Sequence, residues 1–148
     1  MSIGQIMSKK VRSIAPTASL IALRQIFDET HFQHVPVVDS MQRLLGIISV
    51  KDYYRVQAPL LEAASGHTLE VFLKERKVQG IMTAPAISVK QHCPVLEAAA
   101  LLLTHNISCL PVVDDLNRLI GIVSWKDIMR LVVLRQVQKR TRGPNEEE

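Results

Sequence analysis

Residues 46–52 read Gly46-Ile47-Ile48-Ser49-Val50-Lys51-Asp52, and the pattern returns 75 positions later as Gly121-Ile122-Val123-Ser124-Trp125-Lys126-Asp127. Sliding the chain against itself by 75 positions, without a gap, carries the match outward. Ile6-Met7 falls on Ile81-Met82, Ser13 on Ser88, and Pro36-Val37-Val38-Asp39 on Pro111-Val112-Val113-Asp114. Arg43-Leu44 falls on Arg118-Leu119, and Arg55 on Arg130. Over residues 6–56, 15 of 51 pairs are identical, against roughly three from ordinary residue frequencies. The chain therefore holds two copies of one unit.

Each copy reads as βαββα. A short extended piece (12–15, 86–89) precedes a helical pattern, whose apolar positions in the first copy are Leu20, Leu23, Ile26 and Phe27. In the second copy the helix is expected to open at Pro94, a suitable first-turn residue, and to bury Leu96, Ala99, Ala100 and Leu103. Two β-rich runs separated by a polar turn follow (35–38 with 44–49, 110–113 with 119–124), the signature of a hairpin. A second helix starts near Lys51 or Trp125. The expected divisions are 1–56, a helical linker 57–78 punctuated by Pro59 and Ser65-Gly66, 79–134, and a basic helix end with an acidic tail, 135–148. A unit this small cannot close a core alone, so the copies should pack about a pseudo-twofold axis, with any site at their interface. The fold class is α/β (α+β).

The repeated motif is a strand running into a helix. A serine hydroxyl, a lysine and free amides meet at the helix N-terminus, which favours a phosphate, and an aspartate one position beyond the lysine can accept two hydrogen bonds from a ribose diol. The same spacing, Ser-x-x-Asp before an apolar helical run, also makes a capping box, and a strand glycine can mark a bulge.

At 148 residues the chain matches about one ordinary domain, burying close to ~70% of its unfolded surface. With 47% apolar and 22% charged residues it is neither disordered nor fibrous. The longest apolar run, 98–103, is far below the ~18 residues of a membrane span, and residues 1–10 lack a signal core, so a cytoplasmic location is expected. Cys93 and Cys109 make no C-x-x-C and read as free thiols. His31, His34, His67, His92 and His105 show no metal-ligand spacing, and there is no nucleophile elbow, P-loop or G-x-G-x-x-G, so no metal and no catalytic residue is expected. Net charge is +4, with Arg130, Arg135, Lys139, Arg140 and Arg142 ahead of Glu146, Glu147 and Glu148. The basic stretch reads first as a solvated helix end suited to the helix dipole, and nucleic acid is not the expected partner.

On Ile-Met-Ser/Thr at the start of each copy, Pro-Val-Val-Asp in the middle and Gly-h-h-Ser-x-Lys-Asp near the end, the chain resembles a tandem pair of CBS (cystathionine β-synthase) domains, a Bateman module of the stand-alone prokaryotic type, over residues 3–133. The resemblance implies a disc-like pair, often a homodimer. It also implies a regulatory, non-catalytic module that binds AMP, ADP, ATP, NAD or S-adenosylmethionine between the copies and needs no other cofactor. It implies that Asp52 and Asp127 bind ribose, that Ser49 and Ser124 sit near ribose and phosphate, and that Lys51 and Lys126 lie near phosphate. Asp52 and Ser49 should then face an adenine cradle of Ala86, Ile87, Ser108, Cys109 and Leu110. Ser124 and Asp127 should face Val11, Arg12, Gln33, His34 and Val35. His34 stands at the cleft edge, able to donate to a phosphate when protonated. Arg12 occupies the position of the apolar Ile87, so the Asp52 cleft is the better formed of the two. No enzyme, transporter or DNA-binding domain is read in the chain, so a separate regulated protein is expected. The alternative is a dimeric scaffold with vestigial clefts that contacts protein or nucleic acid through its basic last helix.

Overall fold

The computed structural model describes residues 1–63 and 66–143; Ser65 and the acidic end Glu146, Glu147 and Glu148 lie outside the described residues. In the first copy α1 (Leu20–Glu29) leads to the antiparallel hairpin β1 (His34–Val38) and β2 (Leu44–Ser49), then α2 (Val50–Ala63) and the linker helix α3 (Gly66–Glu75). The second copy has β3 (Val89–Lys90), α4 (Val95–His105), the hairpin β4 (Cys109–Val113) and β5 (Leu119–Ser124), and α5 (Trp125–Thr141). Helix α1 begins where the Ser19 hydroxyl accepts the Ala22 amide at 3.3 Å, and it buries Leu20, Leu23 and Ile26 as the periodicity predicts. The first strand of copy one is reduced to Ile14, whose amide donates to Pro36 and whose carbonyl accepts from Val38.

The shared Asp and Arg of the two hairpins are turn chemistry. Asp39 accepts the amides of Met41 and Arg43, each at 2.9 Å, and the Arg43 guanidinium, also at 2.9 Å. The Arg43 amide foremost, with the Arg43 side chain and the Met41 amide adding, holds the Asp39 carboxyl below its ordinary value. Asp114 does the same with Arg118 and Leu116. Gln42 (φ 65°) and its counterpart Asn117 (φ 62°) take the left-handed conformation that reverses each chain.

The copies exchange their first segments. Ile3 and Gly4 donate to Cys93 and Gln91, and Ser8 pairs both ways with Ile122 at 2.9 and 3.0 Å, so Ile3 is fully buried with Val89, Val95 and Ala98 of the second copy. Reciprocally, Thr83 pairs with Ile47, and Val78 is fully buried with Leu20 and Leu23 of the first copy. Burying one such side chain stabilises by about 1.5–3 kcal/mol, so neither core is complete without the other copy's segment. This exchange explains the motif glycines. A Cβ on Gly46 would stand 2.6 Å from the Thr83 carbonyl oxygen, and one on Gly121 would stand 2.5 Å from Met7 Sδ. They mark close approach, while the register shifts fall one step away, between Val37 and Val38 and between Val112 and Val113. The hairpin tips meet across the axis through Leu44 N–H to Asn117 and Leu119 N–H to Gln42, both 2.9 Å. These reciprocal pairings give the α/β (α+β) architecture its pseudo-twofold symmetry.

Two elements differ from the sequence reading. Helix α4 buries Val95, Ala98 and Leu102, whereas Leu96 and Leu103 are 84% and 83% exposed, so the buried face is turned from the expected one. Its segment is apolar at nearly every position, leaving no polar face to set the phase. Pro94 is the N-cap rather than the first helical residue, which directs Val95 and Ala98 at Ile3. Helix α2 also runs on through Pro59 to Ala63. The lost backbone bond there falls at an exposed position, while Leu60 packs toward the core. Helix α3 then covers α1 and α2 with buried Leu69 and Leu73 and an Arg24–Glu70 ion pair at 3.8 Å.

Candidate functional site

The two motifs are locally the same. The Ser49 amide donates to Asp52 Oδ2 at 2.9 Å and the Asp52 amide donates to Ser49 Oγ at 3.1 Å, a closed capping box on α2. Ser124 and Asp127 close the equivalent box on α5, with the Ser124 amide at 2.8 Å from Asp127 Oδ2. In each, the second carboxylate oxygen faces an arginine one turn on, Arg55 at 3.5 Å and Arg130 at 3.3 Å. Capping therefore accounts for one oxygen of each aspartate and leaves acceptor capacity on the other.

What separates them is the space each faces. A cleft of about 920 Å³, within the range of small-molecule sites, opens between the copies at Ser49, Lys51 and Asp52. The same cleft is lined by Ala86, Ile87, Ser108 and Cys109 and by the cis-linked Pro85. Gln33 and His34, expected opposite Ser124 and Asp127, instead line this cleft, because the Val50 amide at the start of α2 donates to the Gln33 carbonyl at 2.9 Å and holds them beside Ser49. Ser124, Lys126, Asp127 and Arg12 do not line it, and Arg12 pairs instead with Glu29 at 3.7 Å. Leu110 and Val35 are fully buried in the two cores, so they support the cradle from behind rather than line it. An apolar wall from α4 and α5, chiefly Ala99, Leu103, Trp125 and Met129, extends the cleft beyond the residues the motif singles out. The signal for Trp125 lay inside the second motif, but reading that motif as a separate cleft assigned it no place in this one.

The charge in the cleft is modest. His34 Nε2 lies 3.2 Å from Ser108 Oγ, joining the copies across the opening. Burial foremost, with Lys51 adding and Asp52 opposing, holds the His34 pKa below its ordinary value, so the ring is neutral near pH 7. Burial pushes the Cys109 thiol up to about 12, which makes it a small apolar contact rather than a nucleophile. Among the described residues no three His, Cys, Asp or Glu side chains are grouped to hold a metal ion, and no helix is long and apolar enough to cross a membrane. The arrangement offers a hydroxyl, a lysine and helix amides for an anion, a carboxylate for a diol, and an apolar cradle for a flat ring.

The CBS domain family profile matches residues 3–58 and 78–134. A CBS domain-containing protein of Dictyostelium discoideum is 32% identical over 132 residues, 88% of this chain and 90% of that one. A homoserine O-acetyltransferase of Methanococcoides burtonii is 34% identical over 131 residues, 88% of this chain but 24% of its own. The chain thus spans about a quarter of the enzyme relative. Among solved structures, a CBS domain pair in complex with 5′-methylthioadenosine and S-adenosyl-L-methionine matches with TM-score 0.76 and 28% identity, covering 91% of this chain and 98% of that one. A CBS-pair protein from Arabidopsis thaliana shares the fold, with TM-score 0.76 and 23% identity over 91% and 96% of the two chains. The duplicated motif, the reciprocal exchange of segments and the profile match place this chain in the CBS domain family, with two copies of the domain.

Proposed function

We propose that the Asp52 cleft binds an adenosine-containing ligand and that the chain is a regulatory, non-catalytic sensor whose two domains are joined by the helical linker. The observation that carries this reading is the cleft itself: of two motifs with the same capping geometry, the one at Asp52 faces a cavity completed by the other copy. The 28%-identical domain pair that binds methylthioadenosine and S-adenosylmethionine supports the ligand class. In this reading Asp52 Oδ1 accepts from the ribose hydroxyls, Ser49 and Lys51 face the 5′ substituent, and Ala86, Ile87 and Cys109 enclose the adenine. Lys51 and a neutral His34 are the basic side chains lining the cleft, so S-adenosylmethionine or AMP suits it better than a triphosphate. A ligand that prefers one arrangement of the two copies shifts the population toward it, and a separate cytoplasmic partner protein reads the change.

We also infer a homodimer. Helix α5 has no buried residue, and Trp125, Met129, Val132, Val133 and Val137 are each about half exposed along it. The test of ligand class is a thermal-shift screen with AMP, ADP, ATP, NAD, NADH and S-adenosylmethionine. A ligand at 100 times its dissociation constant adds about 2.7 kcal/mol to the native state, a rise of roughly 5–10 °C for a chain this size. No shift with any of the six overturns the adenosine reading.

A further inference from the structure

We propose that His34 selects the 5′ substituent of the ligand: its protonated ring favours a phosphate over an uncharged group, so the preference of the cleft turns with pH. The proposal rests on the adenosine reading above. The hairpin places the ring. His34 pairs with Ser49 across β1 and β2, and residues directly opposite in an antiparallel pair present their side chains on one face. It therefore stands beside the serine that caps α2, and both line the cleft with Lys51 and Asp52. From there its Nε2 lies 3.2 Å from Ser108 Oγ of the other copy.

The caps are duplicated and the ring is not. Ser49 and Asp52 recur as Ser124 and Asp127, whereas 75 positions beyond His34 stands Cys109, paired with Ser124 in the same register. The hairpin thus forms without an imidazole at this place. Among the described residues Ser108 is the hydrogen-bond partner of the ring, which leaves one ring nitrogen to meet a ligand. A neutral imidazole donates through one nitrogen, and the protonated ring donates through both. Protonated His34 can therefore keep Ser108 and give its second N–H to an anion.

The charges in the cleft set the direction. Lys51 and Asp52 of α2 are the charged side chains of the lining, and the other copy contributes Asn106, Ser108, Cys109, Trp125 and Met129. Of these five only Cys109 titrates, and its thiol is pushed up to about 12. Burial foremost, with Lys51 adding and Asp52 opposing, keeps the unliganded ring neutral near pH 7. A phosphate within about 4–6 Å favours the charged ring and raises its pKa by about one unit or more, whereas a thioether carries no charge to do so. Phosphate binding then takes up a proton. The gain is absent well above the liganded pKa and grows as pH falls toward the free one, reaching about ten-fold in affinity per unit of difference.

The test is calorimetry with AMP and with 5′-methylthioadenosine, which share adenosine and differ in the charge of the 5′ group, at about pH 8 and about pH 5. Any change in the Asp52–ribose contact appears with both probes. The AMP phosphate has its own second pKa of about 6, so the gain in AMP affinity on acidification is compared between the wild type and His34→Gln, which cannot take up the proton. That gain should be at least about five-fold larger in the wild type, while methylthioadenosine affinity stays within about two-fold between the two pH values in both proteins. Proton NMR of the wild-type imidazoles gives a second reading. Of the chain's five histidines, saturating AMP should move one titration up by about one unit and methylthioadenosine should move none, the moved signal being the one missing from His34→Gln. An equal gain in the two proteins, or a His34 titration that AMP leaves in place, overturns His34 as the selector and leaves the adenosine reading standing. Binding of neither probe at either pH overturns the adenosine reading, and the selection with it.

Discussion

Asp52→Ala is expected to weaken binding of the adenosine ligand by roughly ten- to a hundred-fold, while Asp127→Ala leaves the affinity within about two-fold. The comparison is informative because the two aspartates are structurally equivalent. Each accepts the amide of its own cap serine, at 2.9 Å in α2 and 2.8 Å in α5, and each has its second oxygen toward an arginine. Loss of either cap should therefore destabilise the fold by a similar amount, about 1 kcal/mol. Hydrogen bonds to a charged acceptor contribute about 1.5–3 kcal/mol, and that contribution is assigned to Asp52, the aspartate that lines the cleft between the copies. Urea denaturation reads the shared loss and calorimetry reads the unshared one. Equal affinity losses in the two variants, or none at Asp52, would assign the motif to capping alone.

The second large effect is on stability. Gly46→Ala places a Cβ 2.6 Å from the Thr83 carbonyl oxygen, an atom fixed by its own hydrogen bond from the Ile47 amide at 3.0 Å. Relief requires the exchanged segment to move, and overpacking of this kind costs about 1–3 kcal/mol. Gly121→Ala meets Met7 Sδ first, at 2.5 Å, and that flexible side chain can swing aside, leaving the Ser8 carbonyl oxygen at 3.1 Å, a tight contact that a shift of a few tenths of an ångström relieves. Gly46→Ala should thus lower the melting temperature by several degrees, and more than Gly121→Ala does. A Gly46→Ala protein as stable as wild type would mean that the crossing segments are not held this closely.

Much of the fold was legible because duplication wrote each local signal twice. The repeated Asp and Arg of the hairpins and the apolar faces of α1 and the strands are local chemistry, and they appear in the structure where the pattern places them. Segment exchange is different, since nothing within residues 1–8 states that Ile3 pairs with Cys93 and is buried beside Val95. The glycines held a hint of it, for a bulge and a close approach ask for the same residue. In α4 the run of Ala and Leu offers several faces of nearly equal hydrophobicity, and tertiary contacts choose among them. The site divides along the same line. Ser49, Lys51, Asp52 and their facing residues lie together in the cleft, while Arg12 goes to Glu29, Leu110 to the core, and Trp125 joins the cleft from the other motif.

Trp125 supplies the most direct test. It is the chain's single tryptophan and it lines the Asp52 cleft, so its emission, read at a protein concentration where the mass does not change with ligand, reports on that cleft. Titration with S-adenosylmethionine or AMP should change the emission saturably in the wild type and in Asp127→Ala, with the midpoint moved to higher concentration in Asp52→Ala. Ligand binding registered by calorimetry with Trp125 emission unchanged would place the ligand elsewhere and contradict the account.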